Sequence, residues 1–424
     1  MNEQIKPSLW ALTRESIRVG CLGFGGPAGQ IALMHRVFVD ERKWIDDTRF
    51  QHMLSFCMLL PGPEAQQLAT YVGWRMHGAL GALIAGWLFV LPGAAIVLAL
   101  SWTYALWGDL PLIAALFDGV KCAVVALVIE AMLRIAKRSL KTRGALLIAL
   151  AAFVALMLGA PFPLVIVAAG IWGAVFAASP RVTEEARSDS GALREGGEAL
   201  RNAAAWAVLW LSPVAALYLT LGPGHVLTQI ALVFSLLACV TFGGAYALLA
   251  YLTSVAAANG WLTPAQMIDG LGLAETTPGP LVLVNEFVGF IAGWGEGGAL
   301  LALAGAGLAL WCTFAPSFVW IFAGAPFAER LEREPRAAGA LAAITAAVLG
   351  IIAKLALFFA AHALFAPQVR LGPIDLPDVT APRLWAIGLA ALATVALVRF
   401  KAPLIPLLLA CAAAGWGAST LSLP

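Results

Sequence analysis

Charged residues are scarce in this chain, and their scarcity excludes an ordinary soluble domain. Asp, Glu, Lys and Arg together make up 12% of the 424 residues, against about 25% in typical soluble proteins. A chain with so few charges cannot surround an apolar core with a shell of water-facing side chains. Most of the chain must therefore have lipid as its solvent.

Metal-binding and enzyme motifs are also missing. The six cysteines lie in apolar segments without C-x-x-C spacing, which argues against a metal or redox site. They are Cys21, Cys57, Cys122, Cys239, Cys312 and Cys411. No G-x-x-x-x-G-K-[ST], H-E-x-x-H or G-x-S-x-G motif occurs, so neither ATP-driven pumping nor common hydrolase chemistry is supported. We expect no cofactor, no metal, no enzymatic activity and no nucleic-acid partner.

Long apolar segments are abundant instead. Apolar residues make up 61% of the chain, against about 45–50% in ordinary proteins. Many runs approach or exceed the ~20 residues that cross a bilayer. They are Gly78–Trp102, Leu110–Met132, Gly144–Ala160, Pro161–Ala178, Ala203–Leu221, Gly297–Ala325, Ala337–Phe365, Pro382–Val398 and Ala402–Ala418. The pattern predicts an all-α polytopic membrane protein, and the polar segment Met1–Pro7 predicts no cleaved signal peptide.

Two short glycine and proline signatures occur twice. Phe24-Gly25-Gly26 returns as Phe242-Gly243-Gly244, and Pro61-Gly62-Pro63 returns as Pro278-Gly279-Pro280. Both signatures are displaced along the chain by nearly the same offset, which indicates an internal duplication. Helix breakers inside apolar segments also point to the binding site of a transporter.

Loop charges predict that the two copies have opposite orientations. Cytoplasmic loops carry excess Lys and Arg, and the basic loop of the first copy spans Arg134–Arg143. In the second copy Arg330, Arg333 and Arg336 occupy the loop equivalent to the one at Gly108-Asp109, which has no Lys or Arg. We therefore predict an inverted repeat in three parts. These are a first repeat at 1–178, a cytoplasmic linker with an extra transmembrane helix at 179–224, and an inverted second repeat at 225–424.

The segments on either side of each break are too short to cross a membrane alone. In the first copy they are Ser8–Leu22, Ala28–Val39, Phe50–Leu60 and Glu64–Trp74. At 1.5 Å per residue each reaches roughly 16–22 Å. We predict broken, re-entrant helical hairpins in each half, with full spans joined by tight turns as the alternative.

The breaks also predict a chemistry. The first N–H groups of a half-helix are unpaired and carry partial positive charge, so they attract anions. Four such ends are expected, at Ala28–Gln30, Glu64–Gln66, Ala245–Ala247 and Leu281–Leu283. Side chains nearby can donate hydrogen bonds to oxyanion oxygens; they are Gln30, Gln66, Gln67, Thr276, Thr277 and Asn285. Arg18 is a further candidate, with an ion pair to Glu15 as the alternative.

Buried carboxylates are candidates for coupling transport to a proton or counter-ion. Glu64 follows the first Pro-Gly-Pro directly, Glu275 shortly precedes the second, and Glu286 follows it. Asp118 and Lys121 lie on one helix face inside an apolar run, where they can also simply neutralise each other.

The same motifs resemble those of the chromate ion transporter family in its long, two-domain form. The resemblance rests on Gly23–Gln30, Met34-His35-Arg36, Trp44, Leu60–Ala69 and Tyr71–Trp74, and it extends through the degenerate second copy. It implies a bacterial inner-membrane protein that exports chromate, gives chromate resistance and is driven by the membrane potential or a proton gradient. The chain departs from the family pattern at Val37, where members often have an acid, and Leu281 replaces the counterpart of Glu64.

The sequence thus predicts a secondary active exporter, or antiporter, of chromate. Sulfate, a similar tetrahedral dianion, is an alternative substrate, a passive anion channel is an alternative mechanism, and a homodimer is left open. The predicted substrate site comprises Arg18, Phe24, Gly25, Gly26, Pro27, Gln30, Pro61, Gly62, Pro63, Gln66, Gln67, Phe242, Gly243, Gly244, Thr276, Thr277, Pro278, Gly279, Pro280 and Asn285. The coupling candidates are Glu64, Asp118, Lys121, Glu275 and Glu286.

Overall fold

The computed structural model describes residues 7–176, 192–242, 244–328, 334–365, 368–371, 374–377 and 382–421. These residues are almost entirely helical, which confirms the predicted all-α fold. The helices are α1 (Leu9–Leu22), α2 (Gly26–His35), α3 (Asp47–Cys57), α4 (Glu64–Trp107), α5 (Pro111–Ser139), α6 (Arg143–Met157), α7 (Phe162–Phe176), α8 (Ala192–Leu221), α9 (Val226–Val240), α10 (Ala245–Ala258), α11 (Pro264–Thr276), α12 (Val284–Gly324), α13 (Pro335–Leu364), α14 (Leu384–Phe400) and α15 (Leu404–Thr420).

One small β-ribbon departs from the all-α prediction. Strands β1 (Gln368–Leu371) and β2 (Ile374–Pro377) pair antiparallel between α13 and α14.

Several helices are long and apolar enough to cross a bilayer. Among the described residues they are Glu64–Trp107, Pro111–Ser139, Ala199–Leu221, Leu281–Phe327 and Pro335–Leu364. Six shorter apolar helices of 10–17 residues accompany them. This composition confirms a multi-pass membrane protein.

The predicted helix breaks occur at the Phe-Gly-Gly and Pro-Gly-Pro signatures. Helix α1 is capped by Ser8, whose hydroxyl accepts from the backbone N–H of Ala11, and it ends at Leu22. Gly25 then has φ 85°, in the left-handed region that favours glycine. Helix α2 continues as a π-helical turn, Arg36–Glu41. The second break ends where Glu64 begins α4.

Helices α4 and α12 are each two helices joined at a sharp kink. The non-helical residues are His77 and Gly78 in α4, and Gly297 and Gly298 in α12. Gly78 and Gly298 adopt φ 60° and 70°. Each long helix therefore comprises a half-helix, 64–76 or 284–296, followed by a full-length span.

The half-helices fold back onto the spans that follow them. A Cβ added to Gly73 would overlap the Gly81 carbonyl and meet Ala85, and one added to Gly289 would overlap Gly305 and meet Ala309. Glycine is required where two backbones approach this closely. Both copies thus contain the tight return that the re-entrant prediction needs.

The chain forms two compact units, and each draws segments from both predicted repeats. The first comprises Met1–Leu98, Gly173–Ala245 and Thr277–Leu341; the second comprises Ala99–Trp172, Tyr246–Thr276 and Ala342–Pro424. In the first, Trp87 stacks on Trp311 with 5.8 Å between ring centroids, beside Phe318. In the second, α5 packs on α14 and α15, and Gly119 lies directly against the backbone of Cys411. The repeat boundaries stay a sequence-based prediction.

Candidate anion-binding site

The four helix breaks meet at one pocket in the first unit. The empty space among its lining atoms is about 350 Å³, and this figure includes open solvent at the mouth. It is lined by Pro27, Gln30, Gly62, Pro63, Glu64, Ala65, Thr241, Gly244, Ala245, Pro280, Leu281 and Val282. Every break contributes residues, although the breaks are far apart along the chain.

Two equivalent hydrogen bonds hold the breaks together. The Gly279 N–H donates to the Gly23 carbonyl at 3.0 Å, and the Gly62 N–H donates to the Thr241 carbonyl at 2.8 Å. Gly62 and Gly279 are the central residues of the two Pro-Gly-Pro segments, whereas Gly23 and Thr241 immediately precede the two Phe-Gly-Gly segments. Each donor therefore reaches across to the other copy. Such a reciprocal exchange is the contact pattern of a two-fold relation.

The two central glycines take a conformation that other residues adopt only with strain. Gly62 has φ 115° and Gly279 has φ 102°. A Cβ at Gly62 would lie 3.0 Å from Gln67 Nε2, and one at Gly279 would lie 3.0 Å from Leu283 Cδ1. The φ angle thus favours glycine at both positions, and a Cβ would in addition require the Gln67 or Leu283 side chain to shift.

The pocket receives the N-terminal ends of four helical segments. Helix α2 presents Pro27, α4 begins at Glu64, α10 begins at Ala245, and a 3₁₀ turn at Leu281–Leu283 leads into α12. The first N–H groups of a helix have no partner inside it, and the macrodipole adds partial positive charge. The arrangement brings partial positive charges of the backbone, rather than Lys or Arg side chains, to a pocket that the Glu64 carboxyl also lines.

Gln30 connects two of the breaks. Its side chain is fully buried, and Nε2 donates to the Gly279 carbonyl at 2.5 Å and to the Gly23 carbonyl at 3.2 Å. Both amide hydrogens are therefore occupied by backbone. The residue lines the pocket, as predicted, but here it joins the backbone of the two copies rather than offering a free donor.

The other predicted donors are not among the residues that line the pocket. Gln67 Nε2 donates to the Pro61 carbonyl at 2.6 Å, and Asn285 Nδ2 donates to Thr313 Oγ1 at 2.9 Å. Gln66 is fully buried, and neither of its amide atoms has a hydrogen-bond partner among the described residues. Thr276 Oγ1 donates within its own helix to Leu273, and Thr277 is buried.

The predicted substrate residues separate into two groups. Those that line the pocket are Pro27, Gln30, Gly62, Pro63, Gly244 and Pro280. Those outside its lining are Arg18, Phe24, Gly25, Gly26, Pro61, Gln66, Gln67, Phe242, Thr276, Thr277, Pro278, Gly279 and Asn285. Gly243 lies outside the described residues. Thr241 was not predicted, and its position directly before Phe242 was the available signal.

A comparison of the sequence with known protein families shows where the chain belongs. The chain matches the chromate transporter family over residues 10–174 and 228–416. The chain belongs to the chromate transporter family. It is thus a transport protein rather than an enzyme, and a multi-pass membrane protein as predicted for the bacterial inner membrane.

Relatives of this family match almost the full length of the chain. A chromate transport protein of Pseudomonas aeruginosa is 32% identical over 411 residues, covering 94% of this chain and 90% of that protein. A probable chromate transport protein of Synechococcus elongatus is 30% identical over 360 residues, covering 82% and 83%. A chromate transport protein of Cupriavidus metallidurans is 29% identical over 401 residues, covering 94% and 90%. No solved structure gives a significant match.

In this member of the family Arg18 lies in a salt-bridge network instead of the pocket lining. Its guanidinium is 2.6 Å from Glu41 and 3.3 Å from Glu15, and Arg42 also pairs with Glu15. The Arg18 side chain is 40% exposed. Hydrogen bonding to Arg18 lowers the pKa of the Glu41 carboxyl. The ion pair with Glu15, the alternative that the sequence left open, is present in the structure.

The predicted coupling carboxylates have different surroundings. Glu64 lines the pocket at the first position of α4. Glu286 is 4% exposed, and its Oε2 has no hydrogen-bond partner among the described residues. Glu275 lies in the second unit, where it accepts a hydrogen bond of 2.6 Å from the Tyr246 hydroxyl.

Asp118 and Lys121 belong to a larger charged cluster in the second unit. Lys121 Nζ is 3.1 Å from Asp118 and 3.6 Å from Asp269, while Arg383 pairs with Asp118 at 2.9 Å. The Tyr104 hydroxyl donates to Asp269 at 2.9 Å. The sequence reasoning missed Asp269, Tyr104 and Arg383. A lone aspartate within the apolar run of α11 was the available signal for Asp269.

Proposed function

We propose that this protein exports chromate across the membrane and holds the anion at the four half-helix ends that line the pocket. The observation that carries the proposal is the meeting of four helix N-termini in one pocket of the first unit. The names of the relatives support chromate as the transported anion.

The charge of the pocket suits a dianion. A helix N-terminus is equivalent to roughly +0.5 elementary charge, so four of them supply about +2. This matches the two negative charges of chromate. Backbone donors can also adapt to a tetrahedral arrangement of oxygens, as at other phosphate- and sulfate-binding helix ends. The same argument applies to sulfate, which is therefore a competitor in the test.

Glu64 opposes the binding of an anion and thereby prevents the positive pocket from holding it too tightly. Its carboxylate and chromate are both attracted by the same helix ends, and they repel each other. Before chromate binds, Glu64 acts as a tethered anion. Chromate must either displace the Glu64 carboxylate or bind while Glu64 is protonated. Both requirements weaken chromate binding and assist its release.

The membrane potential can drive export without ATP. One elementary charge gains about 2.3 kcal/mol per 100 mV, so a dianion leaving a negative interior gains about 4.6 kcal/mol. This supply of energy agrees with the missing nucleotide-binding motif. A transporter and a channel would both use it, so the test must separate them.

We also propose that the two halves form an inverted repeat. The reciprocal bonds Gly279 to Gly23 and Gly62 to Thr241 support a two-fold relation. The reversed pattern of basic loops supports an axis in the membrane plane, as in other inverted-repeat transporters. Cysteine labelling of Gly108 and Arg336 from each side of the membrane should find these predicted equivalents on opposite faces. Labelling of both from the same side would contradict the inversion.

Everted membrane vesicles test the export of chromate. Energised vesicles that contain the protein should accumulate labelled chromate, and collapse of both the potential and the pH gradient should abolish accumulation. Vesicles without the protein are the control. Excess sulfate inside the vesicles should be tested for exchange with external chromate, because only a carrier gives saturable counterflow. Accumulation that persists after both gradients collapse would contradict secondary transport, and conduction without counterflow would establish a channel.

A further inference from the structure

The charged cluster of the second unit is balanced in charge but unequal in its contacts. It contains two carboxylates, Asp118 and Asp269, and two cations, Lys121 and Arg383. Asp118 is bonded through both oxygens, since Oδ1 accepts from Lys121 at 3.1 Å and Oδ2 accepts from Arg383 at 2.9 Å. Asp118 is therefore fully compensated by two cations.

The negative charge of Asp269 is compensated by fewer contacts than that of Asp118. Asp269 is 5% exposed, and its Oδ2 accepts one hydrogen bond, from the neutral hydroxyl of Tyr104. Its Oδ1 has no hydrogen-bond partner among the described residues and lies 3.6 Å from Lys121 Nζ, outside hydrogen-bond distance. A buried carboxylate oxygen without a donor is costly, and a bound proton removes much of this cost.

We propose that Asp269 is the proton-binding group that couples chromate movement to a pH gradient. This inference rests on the proposed function and adds a second driving force to the membrane potential. A proton binds at Oδ1 of Asp269, where no donor among the described residues stands in its place. The cluster then changes from net charge zero to +1, and Lys121 remains bound to Asp118. Release of the proton restores the balanced state, in which Lys121 is shared by two carboxylates.

The groups that face Asp269 support a titration at this residue. Helix α5 supplies Asp118 and Lys121, and Arg383 reaches Asp118 from the start of α14. Helix α15, which also packs against α11, carries no charged residue. The Tyr104 hydroxyl, from helix α4, donates to Asp269 and carries no charge. Lys121 lies between the two aspartates, so a short movement of its ammonium group accompanies each protonation change.

Asp269→Asn tests the proposal because it imitates the protonated state. The amide has nearly the shape of the acid, keeps an oxygen for Tyr104 and leaves the cluster at +1. Everted vesicles are first held without a potential by equal potassium on both sides and valinomycin. A gradient of about one pH unit, acid inside, then supports an about tenfold accumulation of chromate for each proton exchanged. The wild type should approach this ratio and Asp269→Asn should show none, while chromate–chromate exchange continues at the wild-type rate.

Asp109→Asn is the matched control, since it makes the same change at an exposed aspartate of the second unit. It should keep the pH-driven accumulation. The double variant Lys121→Gln/Asp269→Asn restores the neutral charge of the cluster and separates coupling from folding. If the single variant is poorly produced, the double variant should recover abundance and exchange but still lack pH-driven accumulation.

Three results would overturn the proposal. If the Asp269→Asn variant still accumulates chromate in response to the pH gradient, Asp269 is excluded as the coupling group. Recovery of pH-driven accumulation in the double variant would assign the cluster a purely structural role. A wild type that responds to the potential but not to the pH gradient would remove proton coupling and leave chromate export intact. The proposed function itself would fail only if neither gradient moved chromate.

Discussion

The two Pro-Gly-Pro segments have the same backbone and different chemistry. Gly62 and Gly279 share a left-handed conformation and equivalent hydrogen bonds to the other copy. Glu64, Gln66 and Gln67 follow the first segment, whereas the corresponding positions of the second copy hold Leu281, Leu283 and Val284. Duplication has therefore kept the geometry that presents N–H groups, while the polar side chains at these positions belong to the first copy.

This difference shows which parts of the site can vary. A helix end attracts anions through its backbone, so its side chains can change without loss of the positive potential. Only a side chain can supply a full charge or a group that gains and loses a proton. The second copy supplies its own polar groups one turn later, at Asn285 and Glu286.

The largest effect is expected from variants that disturb the backbone conformation shared by the two Pro-Gly-Pro segments. Gly62→Ala and Gly279→Ala each place a Cβ on a residue at positive φ and should each destabilise the protein by about 1–3 kcal/mol. Both should also abolish chromate uptake, because either change disturbs the meeting of the four helix ends. Thermal unfolding in detergent and vesicle uptake measure these effects.

Gly307→Ala is the matched control for the glycine variants. A Cβ at Gly307 meets nothing within 4 Å, and the residue lies inside helix α12. The variant should be as stable as the wild type or slightly more stable. A strong effect of Gly62→Ala with none for Gly279→Ala would show that the two breaks are not equivalent.

Gln30 provides a contact between the copies that lacks a counterpart, since the corresponding position of the second copy holds Leu248. Gln30→Ala leaves the buried Gly23 and Gly279 carbonyls without this donor, although Gly23 keeps the bond from the Gly279 N–H. The expected loss of stability is about 1–3 kcal/mol, as for other buried groups that lose a partner. Thermal unfolding in detergent measures it. Gln229→Ala, at a half-buried glutamine, should have a smaller effect, and equal losses would argue against the joining role.

Glu64→Gln tests the chemical difference between the two copies, which is a carboxylate at position 64 and leucine at position 281. Removal of the tethered charge should lower the KM for chromate roughly tenfold, equivalent to about 1.4 kcal/mol. Release should become slower, so kcat should fall. Leu281→Gln introduces the same amide in the other copy and should change KM much less. Initial uptake rates at fixed pH measure both constants, and an unchanged or raised KM for Glu64→Gln would exclude the tethered-anion role.

The smallest effect concerns an ion pair that only the first copy has. His35 Nε2 is 2.7 Å from Asp47, whereas Thr253 and Pro264 occupy the corresponding positions of the second copy. The hydrogen bond to Asp47 raises the pKa of His35. A raised pKa stabilises the fold fully below about pH 6.5, the ordinary value for histidine. This stabilisation is lost as the pH rises through the folded-state pKa.

Thermal unfolding between pH 6 and pH 8 measures the contribution of His35. The wild type should lose a small part of its stability over this range, and His35→Gln should flatten the dependence. His225→Gln, at the start of α9, is the control, because His225 forms no ion pair with an acid in the part of the chain that the structure describes. An unchanged pH dependence in His35→Gln would show that the pair contributes nothing measurable, as for many surface pairs.

The helices and their breaks could be predicted from the sequence because their causes are local. The end of α1 at Leu22 and the start of α4 at Glu64 follow from glycines and prolines that interrupt apolar segments. Hydrogen-bond partners that lie far apart along the chain could not be predicted in this way. Gln30 bonds to Gly279 and Asp118 bonds to Arg383, and in both pairs more than half of the chain separates the partners.

The sequence by itself determined that the chain crosses a membrane, that its signatures are duplicated and that four half-helices begin at the breaks. Composition, periodicity and the conformational limits of glycine and proline act over a few residues, so these features need no knowledge of distant contacts. Only the tertiary structure decided that the four ends meet, that Arg18 pairs with Glu41 and that Asp269 joins the cluster at Lys121. The physical reason is that hydrogen bonds and charge pairs depend on distances between atoms that the order of residues does not specify.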